Sequence, residues 1–143
     1  MKGLIGLLAG IAAAVLVMMA VGYVGTTLYP LHVPADPSDR QALIEGIRAA
    51  PVGAQVSVLL SWFLGTFAGA ATAKKLSGAA WPGWTIGGVL AALLAFIFFV
   101  PLPLWMQALS PLSPLLGAAA GDILVRGRKA APADEDETVR NRA

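Results

Sequence analysis

With 143 residues, 57% of them hydrophobic and only 13% charged, the chain has too few polar side chains to cover a soluble globule; average soluble domains carry roughly 25% charged residues. Its formal charge of +2, with basic residues at the ends of apolar runs instead of in a stripe, gives no sign of a nucleic-acid partner. The absence of cysteine excludes disulfides, thiol catalysis and thiolate metal sites.

The apolar residues fall in long runs separated by charged patches, the distribution of an integral membrane protein. The first run, 3–28, holds no charge, and a hydrocarbon core of ~30 Å needs about 20 helical residues. It exceeds a signal-peptide core of roughly 7 to 15 residues and ends in Tyr29 and Pro30 instead of a small-residue cleavage site. It therefore reads as an uncleaved first span.

Residues 29–50 form a polar loop carrying Asp36, Asp39, Arg40, Glu45 and Arg48. Within it, Ser38 and Gln41 have the spacing of a capping box, and Leu43, Ile44 and Ile47 follow at helical intervals. This pattern predicts a short amphipathic helix over about 39–49 on the outer surface. Pro51 suits the first turn of the next helix.

The second span is expected over 52–73, stopping at Lys74 and Lys75 because ammonium groups are costly in hydrocarbon. The third, over 82–100, begins between the interfacial rings of Trp81 and Trp84, and Pro101 and Pro103 then force a reversal. The fourth, over 104–125, is interrupted by Pro111 and Pro114. It crosses either as one kinked helix or as a surface segment anchored by Trp105 followed by a short span. The expected fold is thus all-α: a four-helix transmembrane domain over 1–129 with a short amphipathic outer helix. The tail 130–143, with Pro132 and the acidic run 134–137, lacks apolar residues to pack and is expected to be disordered in the cytosol.

Lys2, Lys74, Lys75, Arg126, Arg128 and Lys129 flank one side of the expected membrane region, against Arg40 and Arg48 on the other. By the positive-inside rule both termini are cytoplasmic.

In lipid, helix association depends on close backbone approach, so small residues are informative. Gly53, Ser57, Ser61, Gly65, Gly69 and Ala73 form an unbroken four-residue ladder along the second span. Shorter ladders occur at Gly6, Gly10 and Ala14, at Gly83, Gly87, Ala91 and Ala95, and at Ser113, Gly117 and Gly121. The long ladder reads first as packing inside one bundle and second as an interface between chains.

Few polar residues are candidates for chemistry. Asp122 is the one ionisable residue inside an expected span, and intramembrane carboxylates mark proton or ion pathways. Its position four residues before Arg126, near the cytoplasmic end, favours a structural pair with Arg126, Lys74 or Lys75. His32, the single histidine, could sense pH or bind metal, but with scattered Asp36 and Asp39 it forms no metal constellation, and an interfacial role is favoured. Gln55, Ser57, Ser61, Thr66 and Thr72 could line a water-filled path, or bond back to their own helix and to neighbours. A break at Pro111 and Pro114 would free backbone carbonyls of the kind transporters use. No GxSxG, HExxH, P-loop or embedded carboxylate pair is present, so no enzyme, catalytic residue, cofactor or metal is expected.

The string Leu28-Tyr29-Pro30, the loop Ala35-Asp36-Pro37-Ser38-Asp39, the start Pro51-Val52-Gly53, and Ser61-Trp62-Phe63-Leu64-Gly65 with Gly69 resemble a group of small bacterial inner-membrane proteins with four predicted spans and no assigned activity. The resemblance covers the first half of the chain and implies location and topology only. Members of that group often carry a Glu in the outer half of the first span, where this chain has residues such as Gly22 and Tyr23. A small multidrug-resistance exporter would also need an acidic residue in the first span.

Two functions fit these residues. The favoured one is a non-enzymatic component or accessory subunit of an assembly in the bacterial inner membrane, with the bilayer, copies of itself or a larger membrane complex as partners. The alternative is a transporter or channel for a small solute or ion, acting as a homo-oligomer.

Overall fold

An apolar run without interior charge folds as a helix in hydrocarbon because each backbone amide and carbonyl must find its partner within the segment. The computed structural model, which describes residues 2–30, 39–96 and 103–129, contains five helices and no strand among the described residues. They are α1 (Lys2–Leu28), α2 (Arg40–Ala49), α3 (Val52–Ser77), α4 (Trp81–Ala95) and α5 (Leu104–Lys129). His32, Asp36, Ser38, Pro101 and the tail 130–143 lie outside the described residues.

α1, α3 and α5 are long and apolar enough to cross a membrane. α4 is a shorter apolar helix of 15 residues. At 1.5 Å per residue it rises about 22 Å, and residues 97–100 of the expected third span are outside the described part.

Three places along the chain refine the expectations or decide between them. The cap of α2 is Asp39, whose Oδ1 accepts the amides of Gln41 (3.0 Å) and Ala42 (3.1 Å). An aspartate at this position satisfies two orphan amides without the reciprocal arm of a capping box. Secondly, α3 does not stop at the lysines. It continues to Ser77 and ends on Gly78, which at φ 74° takes the left-handed conformation open to glycine and donates its amide to the Lys74 carbonyl at 2.8 Å. Pro51, expected within the first turn of this helix, is its N-cap.

Thirdly, α5 runs unbroken through Pro111 and Pro114. A proline removes an amide and crowds the preceding turn, which favours a break in an isolated helix. Here the segment is held from outside: the Ser113 hydroxyl donates across to the Leu59 carbonyl of α3 at 2.7 Å, and Ser110 and Pro114 are fully buried. Neighbouring helices and serine hydroxyls are the usual compensation for proline in a membrane helix.

α3 is the centre of the bundle and packs against α1, α4 and α5; α4 also packs against α1 and α5. Among the described residues α1 and α5 do not touch, and α2 packs against none of the other helices. α1 is antiparallel to α3, with Gly6 over Ala73, Gly10 over Gly69 and Gly25 over Ser57. α5 is parallel to α3, with Ser113 beside Leu59 and Asp122 beside Lys74. α4 opposes both, placing Gly83 on Ala70 and Gly87 on Ala118. Ala14, Ala73 and Ile86 form a buried cluster where α1, α3 and α4 meet, with Leu7 and Met18 packed against it.

Candidate functional site

Two features stand out from this bundle: glycine seams on two faces of α3, and a closed group of charges at one end. The first seam follows the long ladder. A Cβ on Gly69 would lie 2.8 Å from the Gly10 carbonyl oxygen and 2.8 Å from the Ala14 Cβ, and one on Gly10 would lie 2.7 Å from the Gly69 carbonyl oxygen. The two backbones touch without a side chain between them. Tyr29 covers Gly53, and Met18 with the Ala14 carbonyl covers Gly65. Ser57 borders Gly25, and Ser61 and Ala73 are buried. Close approach of this kind supplies the van der Waals contact that replaces the hydrophobic effect inside lipid.

The second seam lies on the neighbouring face of α3. Gly117 rests on the Phe63 carbonyl, with the Thr66 hydroxyl oxygen 2.5 Å from where its Cβ would be. Gly121 rests on the Phe67 carbonyl at 2.6 Å. The long ladder therefore faces α1, whereas Gly117 and Gly121 meet a second face of α3 that carries Phe63, Thr66, Phe67 and Ala70. On α4 the ladder closes at Ala91, and its next step, Ala95, is exposed.

The charges close on each other. Lys74 Nζ donates to Asp122 Oδ1 at 2.5 Å and to the Asp122 backbone carbonyl at 2.8 Å. Arg126, one turn along α5, donates to the other carboxylate oxygen at 2.8 Å. The Lys74 and Asp122 side chains are 9% and 10% exposed, whereas that of Arg126 is 68% exposed. Lys75, beside Lys74, points outward. Asp122 thus has both Lys74 and Arg126 as partners. Lys74 joins the site because it continues the buried Thr66 and Ala70 stripe by four residues. That spacing is visible in the sequence but hidden behind the expectation that a lysine ends a span.

Three hydroxyls of α3 bond back to their own helix, and Thr72 is half-buried. Ser57 donates to Ala54 O (2.8 Å), Ser61 to Val58 O (2.7 Å), and Thr66 to Trp62 O (2.5 Å) and Phe63 O (3.2 Å). Gln55 Nε2 donates to Ala50 O at 3.2 Å near the start of the helix. No buried side-chain nitrogen or oxygen among the described residues lacks a partner.

Comparison with protein-family models, with curated proteins and with solved structures finds no match.

The arrangement can hold helices in register and neutralise a buried lysine. Among the described residues no group of three or more His, Cys, Asp or Glu side chains comes together as a metal site. The unbroken α5 offers no unwound turn at Pro111 and Pro114 to coordinate an ion or solute.

Proposed function

We propose that this chain is a small non-enzymatic subunit of the bacterial inner membrane, crossing it four times with both termini cytoplasmic and acting through contact with other membrane proteins or further copies of itself. The observation that carries this reading is the use of its polar groups. Ser57, Ser61, Thr66 and Ser113 bond to their own helix or to the next, and Lys74, Asp122 and Arg126 pair with each other. Nothing in that pattern reserves a reactive group for a substrate.

Four crossings are supported by direction. α3 and α5 lie side by side and parallel, which supports a return crossing between Ser77 and Leu104. α4, opposed to both, is the described part of that return. The outer helix α2 stands apart from the bundle, and its sequence has an apolar and a polar side. It is the segment best placed to meet a partner.

Purification of the full chain in mild detergents tests this. A stoichiometric partner or a defined oligomer is expected. Recovery as a lone monomer under several gentle conditions, together with solute flux in proteoliposomes that Asp122→Asn or Ser61→Leu alters, would replace this reading with the transporter alternative.

A further inference from the structure

We propose that the end of the bundle carrying Lys2, Lys75 and Arg126 is a binding site for the phosphodiester headgroup of an anionic phospholipid. The proposal rests on the reading that the bundle crosses a bilayer with this end at the cytoplasmic leaflet. Packing brings its parts to one level. A Cβ on Gly3, next to Lys2, would lie 2.8 Å from the Trp81 ring, and one on Gly6 would lie 2.8 Å from Ser77 Cβ, two residues past Lys75. The Lys74, Asp122 and Arg126 group ties the same end of α3 to α5.

The charge at this end is unbalanced. Among the residues whose side chains are described, Lys2, Lys74, Lys75 and Arg126 stand at this end with a single anion, Asp122. Around α2, at the opposite end, the sequence carries as many acids, Asp39 and Glu45, as bases, Arg40 and Arg48. Lys74 is neutralised by its two bonds to Asp122. The surplus therefore resides on exposed groups: Lys2, Lys75, and an Arg126 that uses one nitrogen on Asp122 and turns the rest of its guanidinium outward. Trp81 and Trp84, 53% and 45% exposed, stand at the same level. Indole rings settle at headgroup depth, which sets the cations at the height of lipid phosphates. Guanidinium and ammonium donors make charge-assisted hydrogen bonds to such oxygens, and each basic residue near an anionic surface contributes about a fivefold gain in partitioning.

The test is lipid retention by the purified full chain, measured by native mass spectrometry from micelles containing equal amounts of phosphatidylglycerol and phosphatidylcholine with identical acyl chains. Phosphatidylglycerol should be retained preferentially, and Lys2→Gln with Lys75→Gln should lower that preference by about fivefold for each lysine removed. Neither lysine supports a described packing contact, so the fold is left intact; the matched control, Arg40→Gln with Arg48→Gln, should change nothing. Equal retention of both lipids by the wild type, or an equal effect of the two double variants, would overturn the proposal. Displacement of the lipid by free glycerol phosphate would also overturn it, because the ligand would then be a soluble phosphate. Reconstitution into neutral phosphatidylcholine nanodiscs separates the two readings: failure there sinks the bilayer placement, whereas success without anionic preference sinks the headgroup site alone.

Discussion

Removing the acid from the buried charge group should be more damaging than removing the base. In Asp122→Asn, Lys74 keeps its 2.8 Å bond to the residue 122 carbonyl and an amide oxygen in place of the carboxylate. Its charge, on a side chain only 9% exposed, is then uncompensated and lies near the Arg126 guanidinium. Stranding one member of a buried pair costs 3–5 kcal/mol, and the retained carbonyl bond places this case at about 3 kcal/mol. In Lys74→Met, two bonds to Asp122 are lost but its carboxylate is still held by Arg126 at 2.8 Å, and the loss should be about 2 kcal/mol, most of it from the charge-assisted bond. The double variant Lys74→Met with Asp122→Leu leaves neither charge buried and should recover to within about 1 kcal/mol of the wild type. Reversible unfolding in mixed micelles of mild detergent and dodecyl sulfate, followed by tryptophan fluorescence, reads all three. A Lys74→Met loss equal to that of Asp122→Asn, or a double variant no more stable than Asp122→Asn, would refute the reasoning.

The glycines divide by what surrounds them. Gly117→Ala sets a methyl against the Phe63 carbonyl and the Thr66 hydroxyl and should cost about 1–3 kcal/mol in the same assay, because backbone on α3 has to move. Gly22→Ala and Gly88→Ala meet nothing within 4 Å and should be neutral, or more stable by up to about 1 kcal/mol through helix propensity. Ser113→Ala removes the bond to Leu59 and should cost about 0.6 kcal/mol, the average for an interhelical hydrogen bond in a membrane. With no natural cysteine, Ala79→Cys should react with an impermeant thiol reagent only after the cytoplasmic face is opened, and Ala35→Cys from outside in intact cells; the reverse pattern would invert the topology.

The all-helical character was legible in the chain because hydrocarbon leaves an apolar run no other way to satisfy its backbone. The bounds of α1 and α2 lie within a residue of those expected, since Pro30 and the polar loop mark them in the local sequence. The ladders announced that some face of each helix would be approached closely. Small residues are common enough in this chain that spacing alone could not assign a partner to each face.

Tertiary structure decided the rest. It set the long ladder against α1 and gave α5 the adjacent face, because the angle at which each helix crosses α3 depends on all the neighbours together. It carried α3 past Lys74, since a lysine that ends a span when alone can be buried once Asp122 is brought beside it from 48 residues away in sequence. It kept α5 continuous through two prolines by lending it the Leu59 carbonyl and tight packing around Pro114. In each instance the local sequence states a cost, and only a distant residue supplies the compensation; that is why hydropathy and spacing determined which segments are helical, and the assembled bundle determined how far α3 and α5 continue and what the helices hold.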